Sequence, residues 1–374
     1  LTDNKVAIKA TGGDLIKAIT FNSDSDGHAF ICEVKTGDVE LATGTLTIAN
    51  QVTQGSDIYQ DFQFMITADD TLPGGSAYVD AFLSHGENEA INLLTEGEYT
   101  IQEILPVGWF LDSIDITGGD GTTNLDTATA IVNWKSNENI TVSYTNTEGA
   151  HITVLKHAEG GENVEFQFVA TGTDNRGEVF ETQFALNDGE QQSIGEDGYI
   201  RPGTYTVEEL ETAGWFFDQV VSHGEGGSVL DQGPIQVVCV GPGGCIELVY
   251  FNSEGGQITI AKNGIGPDGA STDFGFTAAG GDIQSTFSVT GGDEITLSSS
   301  VLPDYLRPGT YTIEELATAG WFFDSVSGSG VVDSTNAIQT VTVVAGENQN
   351  LTYQNSQGGQ ITIAKNGIGP DGAS

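Results

Sequence analysis

The chain has 374 residues, of which 38% are hydrophobic, enough to supply roughly two to four compact domains with a core each. It carries 53 acidic and 11 basic residues, a net charge of −42, which excludes nucleic acid as a partner because phosphates require basic residues. No apolar run approaches the ~20 residues of a membrane span. No basic-then-apolar leader opens the chain either, so we expect a mature, secreted form.

The first segment, residues 1–43, matches no repeat found later in the chain. The runs at 5–11 and 18–22 are predicted to be strands, and the segment is expected to form a partial or accessory module. Cys32 has no visible partner in the sequence.

A calcium site is predicted within this segment. Asn22, Asp24, Asp26 and Glu33 place oxygen ligands at positions 1, 3, 5 and 12 of a loop with Gly27 at position 6, which is EF-hand spacing. The flanks are typical of strands and position 1 is Asn, so an acidic surface turn is the alternative. No other cofactor is expected.

The rest of the chain is a tandem repeat. The run Gly-Gly-Gln-Ile-Thr-Ile-Ala-Lys-Asn-Gly-Ile-Gly-Pro-Asp-Gly-Ala-Ser occurs at 255–271 and, unchanged, at 358–374. The run at 201–218 returns at 307–324 with two substitutions, and a weaker copy of the repeat begins at Gly44. Each unit is long enough to bury its own core, unlike a short solenoid repeat. The expected modules are 44–148, 149–254 and 255–357.

Residues 358–374 repeat only the start of a unit. They are expected either to open a further module or to be a donor strand that completes a module in a neighbouring molecule. Head-to-tail self-association is therefore the expected partnership.

Within each unit, apolar residues alternate with polar ones, so that Ile258 and Ile260 share one face, and no run has helical spacing. About seven short strands per ~100 residues are typical of an all-β fold of tandem Ig-like antiparallel β-sandwich modules. Tryptophans recur after the central strand and are expected to anchor the cores rather than to stack on a ligand: Trp109, Trp215 and Trp321.

Polar residues end three inward-facing rows in each of the last two units. In 255–357, Lys262 lies in the first strand, Glu315 in the Tyr-Thr-Ile-Glu-Glu strand and Asn355 in the last strand. Because burial without partners destabilises each of them, we expect the three to meet. The equivalent residues in 149–254 are Lys156, Glu209 and Asn252.

This pattern resembles the B-type (CnaB, prealbumin-like) domains of Gram-positive collagen adhesins and pilins. The shared features are a first-strand lysine, a Tyr-x-hydrophobic-x-Glu strand before an aromatic turn, and a final aromatic-x-Asn. The resemblance covers 44–357, and 358–374 opens a further copy. In that family the lysine amine attacks the asparagine side chain and releases ammonia, and the resulting isopeptide bond forms with assistance from the glutamate.

The resemblance implies two such bonds in this chain. An apolar site lowers the pKa of a lysine and raises that of a carboxyl, so that a neutral glutamate can polarise the amide. An uncross-linked polar cluster is the alternative. The implied sets are Lys156, Glu209 and Asn252, and Lys262, Glu315 and Asn355.

Unit 44–148 departs from the pattern. It keeps Glu103 and Asn146 but has Asn50 where the lysine is expected, so no bond of this kind is predicted there. Lys365 has no later asparagine in the sequence and is expected to react only with another molecule.

The sequence also contains a candidate disulfide and two candidate glycosylation sites. Cys239 and Cys245 flank Val-Gly-Pro-Gly-Gly and are predicted to form a disulfide across a hairpin, with two unpaired side chains as the alternative. Asn139 and Asn350 fit the glycosylation acceptor pattern. No motif predicts catalysis on an external substrate.

Two functions remain as hypotheses. The first is a structural subunit of an extracellular microbial fibre, pilus or stalk, and the second is a cell-surface adhesin that binds a glycan or protein through its N-terminal region. An enzyme with repeat spacers is the least favoured. Head-to-tail polymers in electron micrographs would indicate the fibre, and monomeric rods the adhesin.

Overall fold

The structure is a computed structural model, and the regular secondary structure of its described residues is all β-strand except for one short 3-10 helix at Gly269–Ser271. The predicted all-β sandwich class is confirmed. The chain divides into two compact units, Leu1–Glu148 and Gly149–Ser374. The described residues are 15–23, 29–37, 44–68, 78–91, 96–281 and 283–365.

The N-terminal segment contains a two-stranded antiparallel sheet of Leu15–Ser23 (β1) and Ala29–Gly37 (β2). β1 includes the predicted strand at 18–22. The strand predicted at 5–11 lies outside the described residues.

The described part of the first module, residues 44–148, contains nine strands in two sheets. The sheet orders are β5-β4-β7-β10-β9 and β6-β3-β11-β8, and the apolar residues that alternate along these strands form one buried core. The strands are Thr45–Val52 (β3), Phe62–Ala68 (β4), Tyr78–Leu83 (β5), Asn88–Ile91 (β6), Gly97–Ile104 (β7), Trp109–Thr117 (β8), Gly121–Asn124 (β9), Thr129–Trp134 (β10) and Asn139–Glu148 (β11).

The second module, residues 149–254, has seven strands and a core of its own. They are His151–His157 (β12), Phe166–Asp174 (β13), Val179–Leu186 (β14), Gln191–Ser193 (β15), Gly203–Glu209 (β16), Trp215–Gln232 (β17) and Ile235–Glu254 (β18). The long β18 joins both halves of the sandwich, because its first part pairs with β16 and its second part with β12.

The third module, residues 255–357, has eight strands around a third core. They are Gln257–Ile265 (β19), Asp273–Gly280 (β20), Ile283–Thr290 (β21), Glu294–Thr296 (β22), Gly309–Glu315 (β23), Trp321–Gly328 (β24), Ile338–Val343 (β25) and Asn348–Gln357 (β26). Its two sheets have the orders β22-β19-β26-β24 and β21-β20-β23-β25.

The first and last strands of each module are neighbours and run parallel, as β3 with β11, β12 with β18 and β19 with β26. The expectation of antiparallel sheets did not include this pairing, which is possible because the rest of the module forms the long crossover that parallel strands need. Parallel strands end at the same edge of a sheet. In the third module this places Lys262 opposite Tyr353, two residues before Asn355 on the same strand.

Candidate functional site

A buried polar cluster lies between the two sheets of the third module. Lys262 on β19 and Asn355 on β26 share one sheet, and Glu315 reaches them from β23 in the other; none is more than 6% exposed. Lys262 Nζ donates to Asn355 Oδ1 at 2.5 Å and lies 3.1 and 3.2 Å from the carboxylate oxygens of Glu315. Asn355 Nδ2 donates to Glu315 Oε1 at 2.5 Å. The amine therefore contacts the amide, and one carboxylate oxygen contacts both nitrogens.

Burial moves both ionisable groups of this cluster towards their neutral forms. It lowers the pKa of Lys262, against the opposing attraction of Glu315, and it raises the pKa of Glu315, against Lys262 and Asn355. The ring centre of Phe274 lies 4.3 Å from Lys262 Nζ and closes one side of the amine with apolar surface. A free amine beside a protonated carboxyl is the state in which a lysine is nucleophilic.

The second module repeats the cluster but lacks, among its described residues, the hydrogen bond from the amine to the asparagine oxygen. Lys156 Nζ lies 3.2 Å from Glu209 Oε1, and Asn252 Nδ2 donates to the same oxygen at 2.8 Å. The ring centre of Phe166 is 4.4 Å from the amine. Among the described residues, Asn252 Oδ1 has no hydrogen-bond partner. Burial again lowers the pKa of the lysine and raises that of the glutamate.

The first module has an asparagine where the others have lysine. Asn146 Nδ2 donates to Glu103 Oε1 at 2.6 Å and to Asn50 Oδ1 at 3.1 Å, while Asn50 Nδ2 donates to the Leu83 carbonyl at 3.1 Å. Without a neighbouring cation, burial raises the pKa of Glu103 to about 7. This cluster can hold a hydrogen-bond network but has no amine to react.

The phenylalanines beneath the amines were not singled out from the sequence. The available signal was the Phe-x-Phe pair that recurs at 62–64, 166–168 and 274–276. The first ring of each pair also packs in a T-shaped arrangement with the module's tryptophan, with ring centroids 5.0, 5.2 and 5.1 Å apart. The three tryptophans thus pack against the cores and help to enclose the clusters.

The predicted hairpin at Cys239 and Cys245 is wrong. Both cysteines are free and exposed on the single strand β18, where they pair with Ser228 and Glu225 of β17. The intervening Gly-Pro-Gly-Gly bulges out while the ladder with β17 continues on both sides, so the strand does not reverse. The two thiols therefore do not face each other across a turn.

Other predicted sites remain predictions. Asp24 and Asp26 lie outside the described residues, whereas Asn22 and Glu33 lie on β1 and β2, where Glu33 pairs with Thr20. In the part of the chain that the structure describes, no group of three or more His, Cys, Asp or Glu is placed to hold a metal ion. The same part contains no helix long and apolar enough to cross a membrane.

The glycosylation candidates Asn139 and Asn350 are both exposed, at the start of β11 and within β26. Lys365 is exposed and follows the last strand, and residues 366–374 lie outside the described part of the chain.

No family model and no curated protein matches the chain. Among solved structures, the TIE protein of Bacillus anthracis is similar at 14% identity and a TM-score of 0.29, over 90% of this chain and 57% of that one. The pilus adhesin SpaC of Lactobacillus rhamnosus GG, in its open conformation, is similar at 11% identity and a TM-score of 0.27, over 91% of this chain and 46% of that one.

The major pilin of Streptococcus pyogenes is similar at 13% identity and a TM-score of 0.24, over 58% of this chain and 99% of that one. The chain spans about half the length of the TIE protein and of SpaC. Likenesses this distant carry no argument about function.

Proposed function

We propose that this chain is a structural array of an extracellular microbial fibre, pilus or stalk, in which the second and third modules close intramolecular Lys–Asn isopeptide bonds. The observation that carries the proposal is the buried 2.5 Å contact of Lys262 Nζ with Asn355 Oδ1 beside Glu315. Three tandem cores and a net charge of −42 support a soluble protein whose modules repel other surfaces of the same sign.

The proposed reaction needs no reagent besides the three side chains. The free amine of Lys262 attacks Cγ of Asn355, a new C–N bond forms, and the bond from Cγ to Nδ2 breaks. The amine gives up its proton and Nδ2 gains it, so that the products are a secondary amide and ammonia. Glu315 Oε1 contacts both nitrogens and can relay this proton. Proximity supplies much of the acceleration because both partners are already held in contact.

The bond would tie the first strand of a module to its last. It joins residues 93 positions apart, and by the loop-closure estimate used for disulfides a cross-link of this span stabilises a domain by about 4–5 kcal/mol. Because the two strands are also parallel neighbours, a force pulling on the module ends would meet the covalent bond before it could peel the sheets apart. This is the property that a surface fibre requires.

Intact-mass spectrometry tests the proposal directly. Each bond releases one ammonia, so with all three thiols kept reduced two bonds lower the mass by about 34 Da from the value calculated for the sequence. Lys262→Met should remove one loss of about 17 Da, and Glu209→Ala should remove only the other. An unmodified mass in the wild-type chain would refute the bonds and leave the fold standing.

A further inference from the structure

The junction of the second and third modules, which lie in one compact unit, is held by an arginine. Arg307 of the third module forms an ion pair with Asp218 of the second. Its Nη2 donates to the Phe217 carbonyl at 2.7 Å, and its guanidinium carbon lies 4.7 Å from the ring centre of Phe216. The Arg307 side chain thus forms an ion pair, a hydrogen bond to a backbone carbonyl and a cation–π contact at the same time.

Phe216 is fully buried although it does not belong to the apolar core of the second module. The third module covers it. A Cβ added to Gly255 would lie 3.0 Å from the Phe216 ring and 3.1 Å from Tyr305, and Gly255 N donates to the Gly214 carbonyl at 2.7 Å. We call Phe216, Phe217 and Asp218 the platform of the second module, and Tyr305 with Arg307 the head of the third.

The third module forms the same platform from Phe322, Phe323 and Asp324. Gly358 N donates to the Gly320 carbonyl at 2.8 Å, the counterpart of the Gly255–Gly214 bond. Ser356 donates to Asp324 at 2.9 Å, as Ser253 donates to Asp218 at 3.1 Å. The two platforms differ in solvent exposure, because Phe322 is 67% exposed and Phe216 is 0% exposed.

We propose that the platform of the third module is a docking surface for the head of another module of this repeat. The arginine of that head would pair with Asp324, donate to the Phe323 carbonyl and lie over Phe322, as Arg307 does one module earlier. Arginine suits this surface because its planar guanidinium can stack on a ring and hydrogen-bond in the same plane, which the lysine ammonium cannot do. The inference rests on the tandem array of the proposed function but not on its isopeptide bonds.

The junction of the second and third modules can be tested in the unaltered chain by hydroxyl-radical footprinting, which measures the reaction rate of each phenylalanine. Arg307→Ala should raise the modification rate of Phe216 several-fold. Arg201→Ala is the matched control. Arg201 occupies the position in the second module that Arg307 occupies in the third, and its Nε lies 3.7 Å from Asp174 Oδ2 within the second module. Equal Phe216 rates in the two variants would overturn the assignment of Arg307 as the holding residue.

The docking surface is tested by adding a copy of residues 272–357 after Ser374, which completes the repeat begun at 358–374. In the unextended chain Phe322 should react several-fold faster than Phe216, in line with their exposures of 67% and 0%. In the extended chain the rate of Phe322 should fall to that of Phe216. Replacing the arginine of the added copy that corresponds to Arg307 with alanine should restore the fast modification of Phe322.

An unchanged Phe322 rate in an extended chain whose added module resists proteolysis would refute the docking surface. Covering of Phe322 by an unrelated added protein of equal size would refute it as well. If Phe322 becomes covered while the intact mass shows no loss of ammonia, the docking surface stands and the cross-linking proposal fails.

Discussion

The buried carboxyl of Glu103 should make the stability of the first module depend on pH. Burial raises its pKa from the ordinary 4.5 to about 7, with the hydrogen bond from Asn146 opposing the rise. The folded module therefore keeps a proton up to about pH 7 that the unfolded chain releases near pH 4.5. At 1.36 kcal/mol per pKa unit, this difference amounts to about 3 kcal/mol of unfolding free energy.

The sign follows from the raised pKa. The contribution is fully present below pH 4.5, declines as the pH rises, and is lost above pH 7. Glu103→Gln is the matched control, since glutamine keeps the shape and the hydrogen-bonding oxygen but does not titrate.

Hydrogen exchange of the whole chain, followed by mass spectrometry on peptides from β7 and β11, measures the opening free energy of this module alone. After correction for intrinsic exchange rates, wild type should lose about 3 kcal/mol relative to Glu103→Gln between pH 4.5 and pH 8. Parallel pH profiles for the two proteins would refute the reasoning, because they would show that Glu103 does not hold its proton in the folded module.

Three further predictions concern single sites. Asn50→Lys should install the missing amine beside Glu103 and lower the intact mass by a further ~17 Da; an unchanged loss would show that the first module cannot position the amine. Phe274→Ala should destabilise the third module by about 3–5 kcal/mol and slow its loss of ammonia, measured by intact mass at intervals after cell-free synthesis, since water would reach the amine; an unchanged rate would contradict the role of the ring. In a Cys32→Ser chain, Cys239 and Cys245 should both react with a maleimide without denaturant, because both are exposed; failure of either to react would contradict the free thiols.

Local alternation was sufficient to predict the members of the candidate site. Side-chain direction in a strand has a period of two residues, so Lys262, Glu315 and Asn355 could be placed on inward faces without knowing which strands are neighbours. All three are buried and in contact. The turn residues predicted a hairpin at Cys239 and Cys245 wrongly, because Gly-Pro-Gly-Gly is equally compatible with a reversing turn and with a bulge, and only pairing with β17 distinguishes them.

Strand pairing and ring packing lay beyond the sequence. The parallel neighbours β19 and β26 and the Phe274 ring beneath Lys262 depend on how whole strands pair and pack, and no local pattern specifies either. The sequence already placed Asn50 at the position of the lysine, but only the tertiary structure shows that Asn146 donates a hydrogen bond to it.

The sequence by itself determined the repeat, the strand alternation and the residue types at each cluster, since these are properties of the chain order. Tertiary structure alone decided what surrounds each copy. The run Trp-Phe-Phe-Asp occurs at 215–218 and at 321–324, yet Phe216 is buried and Phe322 is exposed. The local sequence is the same in both places. The physical difference is that Arg307 and Tyr305 of the third module cover Phe216, whereas in the described structure no equivalent pair covers Phe322.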